Sequence, residues 1–430
     1  MEITDQITDP LKPTFNHLDA LLALRGIACL IVVIFHCSIP QKSIIYQNYD
    51  FSWVLLGDGQ VAVWIFFCLS GYLMGKAFYT QRYEANRSGF TQFIINRALR
   101  IFPLYYFSVL ILSIFVYPEI FQVENWGKLL RICTFTYTFP LPIVSNLDTP
   151  FNPVLWSLST EVQFYLIVPF IYTAFRYFLV TKKTIIFTTI SLLLMVFLLR
   201  FCAFITRPIH TALILNLDVF LMGFLINAWF QCNKKLIDLN IVTISAKIRK
   251  RLNIKLISVS LLIIFYLVTS YHGYYAELWN VQPRPGLMGE SIFRTITSFF
   301  LWPTLTAILT SLFIYAFESS TVYNDYYKNR KLSLQTCLEN TLRILEIMGV
   351  LSYGVYLWHL PIRDKVSPMF PSTTPLDTFY QRLLATLILS TILATITYYI
   401  VELPATRYKK YSQIFSHQKE NFKADLSHTK

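Results

Sequence analysis

LDALLALRGIACLIVVIFHCS, residues Leu18–Ser38, is a run of about 20 mostly apolar residues, the length an α-helix needs to cross a hydrocarbon core. Two ionisable side chains, Arg25 and His36, interrupt it. In lipid such groups are costly enough that each is a functional-site hypothesis by default. Eleven residues at roughly 100° each bring His36 to within about 20° of Arg25, so both lie on one face. At 1.5 Å per residue they stand roughly 16 Å apart along the axis. A helix with a guanidinium near one membrane face and an imidazole near the other suits a long substrate that enters at one side and reacts at the other. A snorkelling arginine or a boundary histidine accounts for either residue alone and is the competing reading for the pair, whose shared face favours a site.

The rest of the composition agrees with a membrane chain. Of 430 residues, 55% are hydrophobic and 14% charged, and the mean hydropathy is +0.49. This excludes an ordinary soluble domain and points to an all-α polytopic membrane protein. The segment Met1–His17 lacks a basic n-region and a small-residue cleavage site, so Leu18–Ser38 is expected to be retained. The seven cysteines form no CxxC pair and no metal-ligand spacing, so neither a disulfide framework nor a metal site is expected.

Ten spans follow from the apolar runs, near residues 18–38, 60–79, 99–117, 154–175, 184–204, 211–231, 254–271, 297–317, 347–366 and 380–401. With the N-terminus inside, the inner segments hold about 26 of the 37 Lys and Arg, and the outer loops about 8. The net charge of +13 is therefore read as loop topology, with no nucleic-acid partner, and both termini are expected in the cytoplasm. The basic loop Gln231–Ile254 is expected to lie on anionic lipid. A single transmembrane domain over residues 1–410 and a charged cytoplasmic tail over 411–430 complete the expected organisation.

Further polar residues sit in these spans. Asp58 opens the second span, level with His36, where it can also cap the helix; Ser70 and Gly71 in the same span read as packing residues. Arg97 and Arg100, three apart in NRALRIFPLYY, lie on neighbouring positions of one helix face at the level of Arg25. Guanidinium groups bind phosphate bidentately, so the three arginines form a candidate site for a phosphorylated ligand; positive-inside anchoring is the competing reading. In WSLSTEVQFYLIVPF, Ser157, Glu161 and Tyr165 repeat every four residues and form a stripe. Glu161 needs a polar partner at that depth, and His36 is the natural candidate, since a carboxylate that fixes a basic histidine is a recurring catalytic arrangement. Asp218 is a second buried acid, and His359, in LSYGVYLWHLPI, lies at a depth similar to that of His36. His210 and His272 read as boundary histidines, and Glu402 with Arg407 as a boundary salt bridge.

Taken together these pieces resemble the acyltransferase-3 family of membrane-bound bacterial surface-glycan O-acyltransferases. The matching segments are LDALLALRGIACLIVVIFH, GQVAVWIFFCLSGYL, RALR, WSLSTEVQFYLIVP, LDVFLMG, SYGVYLWHLPI and VELP, in the family's order and over nearly the whole chain. Two departures, Ala20 and Val162 in place of the usual Gly and second Glu, remove none of the residues given a chemical role.

The resemblance implies transfer of an acyl group, commonly acetyl, from an acyl-CoA donor in the cytoplasm to a carbohydrate hydroxyl outside, in a bacterial inner membrane. Membrane lipids and a glycan acceptor are the implied partners. Carried onto this sequence, Arg25, Arg97 and Arg100 would bind the donor's phosphates, His36 would be catalytic and Glu161 its partner, with Asp58, Ser157, Tyr165, Asp218 and His359 in support. Spacing leaves open whether His36 acts as a general base or carries the acyl group. A secondary transporter or glycan exporter is the rival reading. Against it, Gly is only 13 of 430, and no Gly/Pro-broken helices recur in corresponding halves.

Overall fold

The computed structural model describes residues 19–136, 151–206, 212–237, 244–278, 296–318, 340–370 and 374–407. The basic loop residues 238–243, His210 and the expected tail 411–430 lie outside the described residues. The architecture is helical, as expected: α1 (Ala20–Cys37), α2 (Gly59–Tyr79), α3 (Arg87–Phe115), α4 (Trp126–Cys133), α5 (Leu155–Phe175), α6 (Lys182–Thr206), α7 (Leu217–Ile237), α8 (Ile244–Leu278), α9 (Trp302–Glu318), α10 (Arg343–Val366) and α11 (Pro375–Thr397). A small hairpin of β1 (Ile45–Tyr46) and β2 (Tyr49–Asp50) follows α1.

Nine helical segments among the described residues are long and apolar enough to cross a membrane. They coincide with nine of the ten expected spans. The remaining expected span, 347–366, is helix α10. It is too polar for that class, carrying Arg343, Glu346, His359, Arg363, Asp364 and Lys365. Instead it is central: every residue from Leu351 to Pro361 is buried. A helix enclosed on all sides by other helices can hold polar groups that lipid would not tolerate, provided they find partners.

Helix α10 packs between α1 and α11, while α2 packs on α7 and α1. Backbone contact sets both crossings. A Cβ built at Gly26 would fall on the Leu345 carbonyl, and one at Gly349 on the Leu22 carbonyl. At the second crossing a Cβ at Gly71 would meet the Phe220 carbonyl, so Gly71 is the packing residue its sequence context indicated. Small residues are what allow helices to approach this closely. Replacing Gly349 by Val is therefore expected to cost about 1–3 kcal/mol or more, because backbone cannot move aside as a side chain can. A lower thermal midpoint of the purified protein measures it, and an unchanged midpoint would mean that the crossing has slack.

Helices α1 and α10 run parallel in nearly constant register. The Asp19 N–H donates to the Glu346 carboxylate, which Arg343 Nε also approaches at 3.2 Å. Six residues on, Arg25 Nη2 reaches Ser352 Oγ at 3.5 Å, again with an offset of 327 residues. Asp19 also caps α1, accepting from Leu22 N at 3.0 Å. At the far end Arg363 Nη1 donates to the His36 carbonyl and Arg382 Nη2 to the Ser38 carbonyl, both at 2.8 Å. Two cations thus satisfy carbonyls that a helix C-terminus leaves open. Beyond it, the hairpin is pinned through Asp50, which accepts from Lys42 N, Ser52 N and Oγ, and Tyr274 OH. Partial burial opposes ionisation of Asp50, but these donors outweigh it and hold its carboxyl below the usual range.

Candidate active site

The face of α1 that carries Arg25 and His36 is met by one stripe of α10. Ser352, Tyr356, His359 and Arg363 recur at spacings of three and four, so they line one side of that helix. Ser352 meets Arg25, and its carbonyl also lies 3.8 Å from Cys29 Sγ. His359 meets the ring of His36, with Nε2 3.1 Å from His36 Nδ1. Arg363 then holds the His36 backbone from above.

The partners of the two rings fix their protons. His359 is fully buried, and its Nδ1 lies 2.8 Å from the Tyr356 carbonyl and 3.2 Å from that of Val355. Carbonyls only accept, so Nδ1 of His359 bears the hydrogen and Nε2 of the neutral ring carries a lone pair. That lone pair faces His36 Nδ1, which also lies 2.9 Å from the Val32 carbonyl. Both neighbours are acceptors, so the His36 hydrogen sits on Nδ1. Nε2 of His36 has no hydrogen-bond partner among the described residues and is able to take a proton.

The expected link between His36 and Glu161 is replaced. Glu161 accepts from Ser70 Oγ and Tyr165 OH, whereas the ring of His36 is held by Val32 and His359. The reason lies in packing: α5 sits on α2 and α3, so a hydroxyl of α2 reaches Glu161, while α10 occupies the side of α1 where His36 emerges. Ser70, which sequence context marked as packing, is thus a hydrogen-bond donor. Ser157 stays near the rings by another route: its Oγ is 2.7 Å from Tyr356 OH, whose ring lies beside His359.

At the other end of the stripe three guanidiniums gather. Arg97 lies over the rings of Phe93 and Tyr165, 5.7 and 6.0 Å from their centroids. Arg25 lies 5.8 Å from the Phe66 centroid. Arg100 and Glu161 are the charged groups that act most strongly on Arg25. Buried Nε atoms of Arg25 and Arg97 have no hydrogen-bond partner, and none of the three arginines forms an ion pair among the described residues. Half-buried guanidiniums with no ion pair among the described residues describe a site for an anion that guanidinium geometry fits, phosphate or carboxylate.

Other expected residues are engaged elsewhere. Asp58 caps α2, accepting from Gln60 N at 2.9 Å and Val61 N at 3.1 Å. Asp218 is buried against Arg200 Nη2 at 2.7 Å and Thr304 Oγ1 at 2.9 Å, an arrangement that ties α6, α7 and α9 together. Glu402 does not pair with Arg407, which is exposed; the charges acting on it are those of Arg100 and Arg25. His272 lies 3.2 Å from Thr297 Oγ1 and edge-on to Trp302, as suits a boundary histidine. Among the described residues no group of His, Cys, Asp and Glu could hold a metal.

The profile of the acyltransferase-3 family, an acyltransferase domain, matches residues 18–402. The chain belongs to the acyltransferase-3 family. Its described residues include nine helices long and apolar enough to cross a membrane, and the match takes in α1 through Glu402. Among curated proteins it is similar to the peptidoglycan O-acetyltransferase OatA of Listeria monocytogenes, 32% identical over 170 residues, which is 36% of this chain and 24% of that protein. An uncharacterised protein of Haemophilus influenzae is 33% identical over 136 residues, 29% of this chain and 55% of that one. The O-acetyltransferase OatA of Staphylococcus aureus is 25% identical over 173 residues, 37% of this chain and 25% of that protein. The chain thus spans about a quarter of the OatA proteins it matches. No solved structure matches it.

Proposed function

We propose that this acyltransferase moves an acetyl group from acetyl-CoA to a hydroxyl of a cell-envelope glycan. The observation that carries the reading is the α1–α10 stripe, with an unpaired guanidinium cluster at one end and, at the other, an imidazole whose bare nitrogen is fixed by a second imidazole. Arg25, Arg97 and Arg100 hold the donor's phosphates, and its thioester extends along the stripe toward His36. His36 Nε2 takes the proton of the acceptor hydroxyl as its oxygen attacks the thioester carbon. An oxygen–acyl bond forms, the sulfur–acyl bond breaks, and the thiolate recovers a proton. His359 is a positioning residue that orients His36 through Nδ1. Glu161, fixed by Ser70 and Tyr165, balances the charge of the arginines and keeps Tyr165 beneath Arg97. The names of the OatA relatives point to peptidoglycan as the kind of acceptor. The lysine and arginine excess of the inner loops sets the Arg25 end on the cytoplasmic side and the His36 end outside.

The reading is tested with the full chain in proteoliposomes, with labelled acetyl-CoA confined to one face and a peptidoglycan oligosaccharide to the other. Acetylated oligosaccharide is expected only when the donor is on the face that carries the Arg25 end, the cytoplasmic one. Uptake of oligosaccharide without acetylation would favour a transporter, and transfer in the opposite arrangement alone would reverse the sides.

A further inference from the structure

Glu402 has no part in the reaction described above, and its surroundings are unlike those of the other buried acids. It is 3% exposed, yet neither carboxylate oxygen has a hydrogen-bond partner among the described residues. Asp218 and Glu346, the two other acids buried to this degree among the described residues, each meet an arginine within hydrogen-bond distance. A buried carboxylate without partners is costly enough that it calls for an explanation. The fields of Arg100 and Arg25 reach Glu402, but neither guanidinium lies within ion-pair distance of it. Cationic donors and a carboxylate acceptor therefore stand within electrostatic reach of each other without pairing.

The backbone here is specialised as well. Residues Tyr398–Glu402 form a π turn, closed by Leu403 N–H donating to the Tyr398 carbonyl. Pro404 has no N–H to offer the Ile400 carbonyl, so the α-helical ladder is interrupted at this point. Such wide turns gather at functional sites.

The chemistry of a partner for Glu402 is restricted. Phosphate oxygens are acceptors of the same charge, so a phosphate held by the arginines cannot satisfy it. An N–H or O–H can. The donor proposed above carries phosphates at one end and, between them and the thioester, an arm with amide N–H groups and a hydroxyl. We infer that Glu402 is a donor-binding residue: it accepts a hydrogen bond from the amide-bearing arm while Arg25, Arg97 and Arg100 hold the phosphates. The inference rests on the acyl-CoA reading of the arginine cluster. It gives the site a means of preferring a full donor over phosphates alone, because the carboxylate repels a bare anion and rewards the arm.

The test compares two probes on the full chain in lipid nanodiscs: acetyl-CoA, and adenosine bisphosphate, which keeps phosphates but lacks the arm. Glu402→Ala is expected to weaken acetyl-CoA about tenfold or more, the scale of a hydrogen bond to a charged group. The same change should tighten adenosine bisphosphate, since a negative charge leaves the neighbourhood of an anion. Glu402→Gln, which keeps an acceptor oxygen and the side-chain volume, should fall between wild type and Ala for acetyl-CoA. Parallel weakening of both probes, with a lowered thermal midpoint, would make Glu402 a structural residue and overturn the inference. Unchanged acetyl-CoA affinity would overturn it too. Failure of the donor reading itself shows separately, as Arg100→Ala leaving the affinity of both probes unchanged, and the inference falls with it.

Discussion

His36→Ala is expected to lower acetyl transfer by about 10²–10⁴-fold, the range that general acid–base catalysis contributes. The hydroxyl of a sugar is a poor nucleophile near neutral pH, and in the proposed mechanism His36 Nε2, without a partner among the described residues, activates it. Membrane insertion and donor binding should survive, because the backbone of α1 at this point is held by Arg363 and Arg382 through carbonyls, not through the ring. The measurement is single-turnover transfer alongside acetyl-CoA affinity. Transfer at the wild-type rate would remove His36 from the mechanism. Recovery of an acetylated His36 from wild type would instead make the same Nε2 a nucleophile. His359→Phe, which removes the acceptor for His36 Nδ1–H and keeps a buried ring, should lower the rate less than His36→Ala while leaving donor affinity intact.

Arg100→Ala is expected to weaken acetyl-CoA binding about tenfold or more, as loss of a charge-assisted, forked contact would. Arg100→Lys should recover little of it, because an ammonium carries the charge without the planar pair of donors. The electrostatics sharpen the expectation. Arg100 repels Arg25 but also acts favourably on the buried Glu402 carboxylate, so its removal has two opposing effects on the protein alone. Thermal stability without donor should therefore change little, while the stabilisation that donor confers shrinks. Unchanged affinity in both Arg97→Ala and Arg100→Ala would return the pair to membrane anchoring.

Much of this could be read from residue spacing because the relevant facts are local. Helix periodicity puts Arg25 and His36 on one face, Arg97 beside Arg100, and Glu161 beside Tyr165, and the structure keeps each of these relations. Apolar run length located nine spans, and the same rule reached α10 despite its polar residues. What spacing does not carry is which helix faces which. Glu161 looked like the partner of His36 because both lie at one depth, but depth does not determine azimuth, and α10 fills the azimuth that matters. The stripe Ser352, Tyr356, His359 and Arg363 has a helical period that was legible in the sequence; only packing against α1 gives it meaning. Asp218 drew notice as a buried acid, yet its counter-ion Arg200 is distant in sequence and on another helix. Glu402 was misread in the opposite sense: an arginine five residues on offered a local partner, but Arg407 is exposed while Glu402 is buried and acted on by arginines of α1 and α3.

The glycine crossing of α1 and α10 has a consequence for which donors the proposed transfer would accept. With Gly26 against Leu345 and Gly349 against Leu22, a slip of one turn would separate Arg25 from Ser352 and His36 from His359 together. The seam therefore acts as a ruler of fixed length, roughly 16 Å between its two marks. A carrier whose arm is too short would dock its phosphates and leave its thioester below His36, bound yet unreactive. Selectivity for the carrier would then appear in turnover more than in affinity, set by the distance between two residues of one helix.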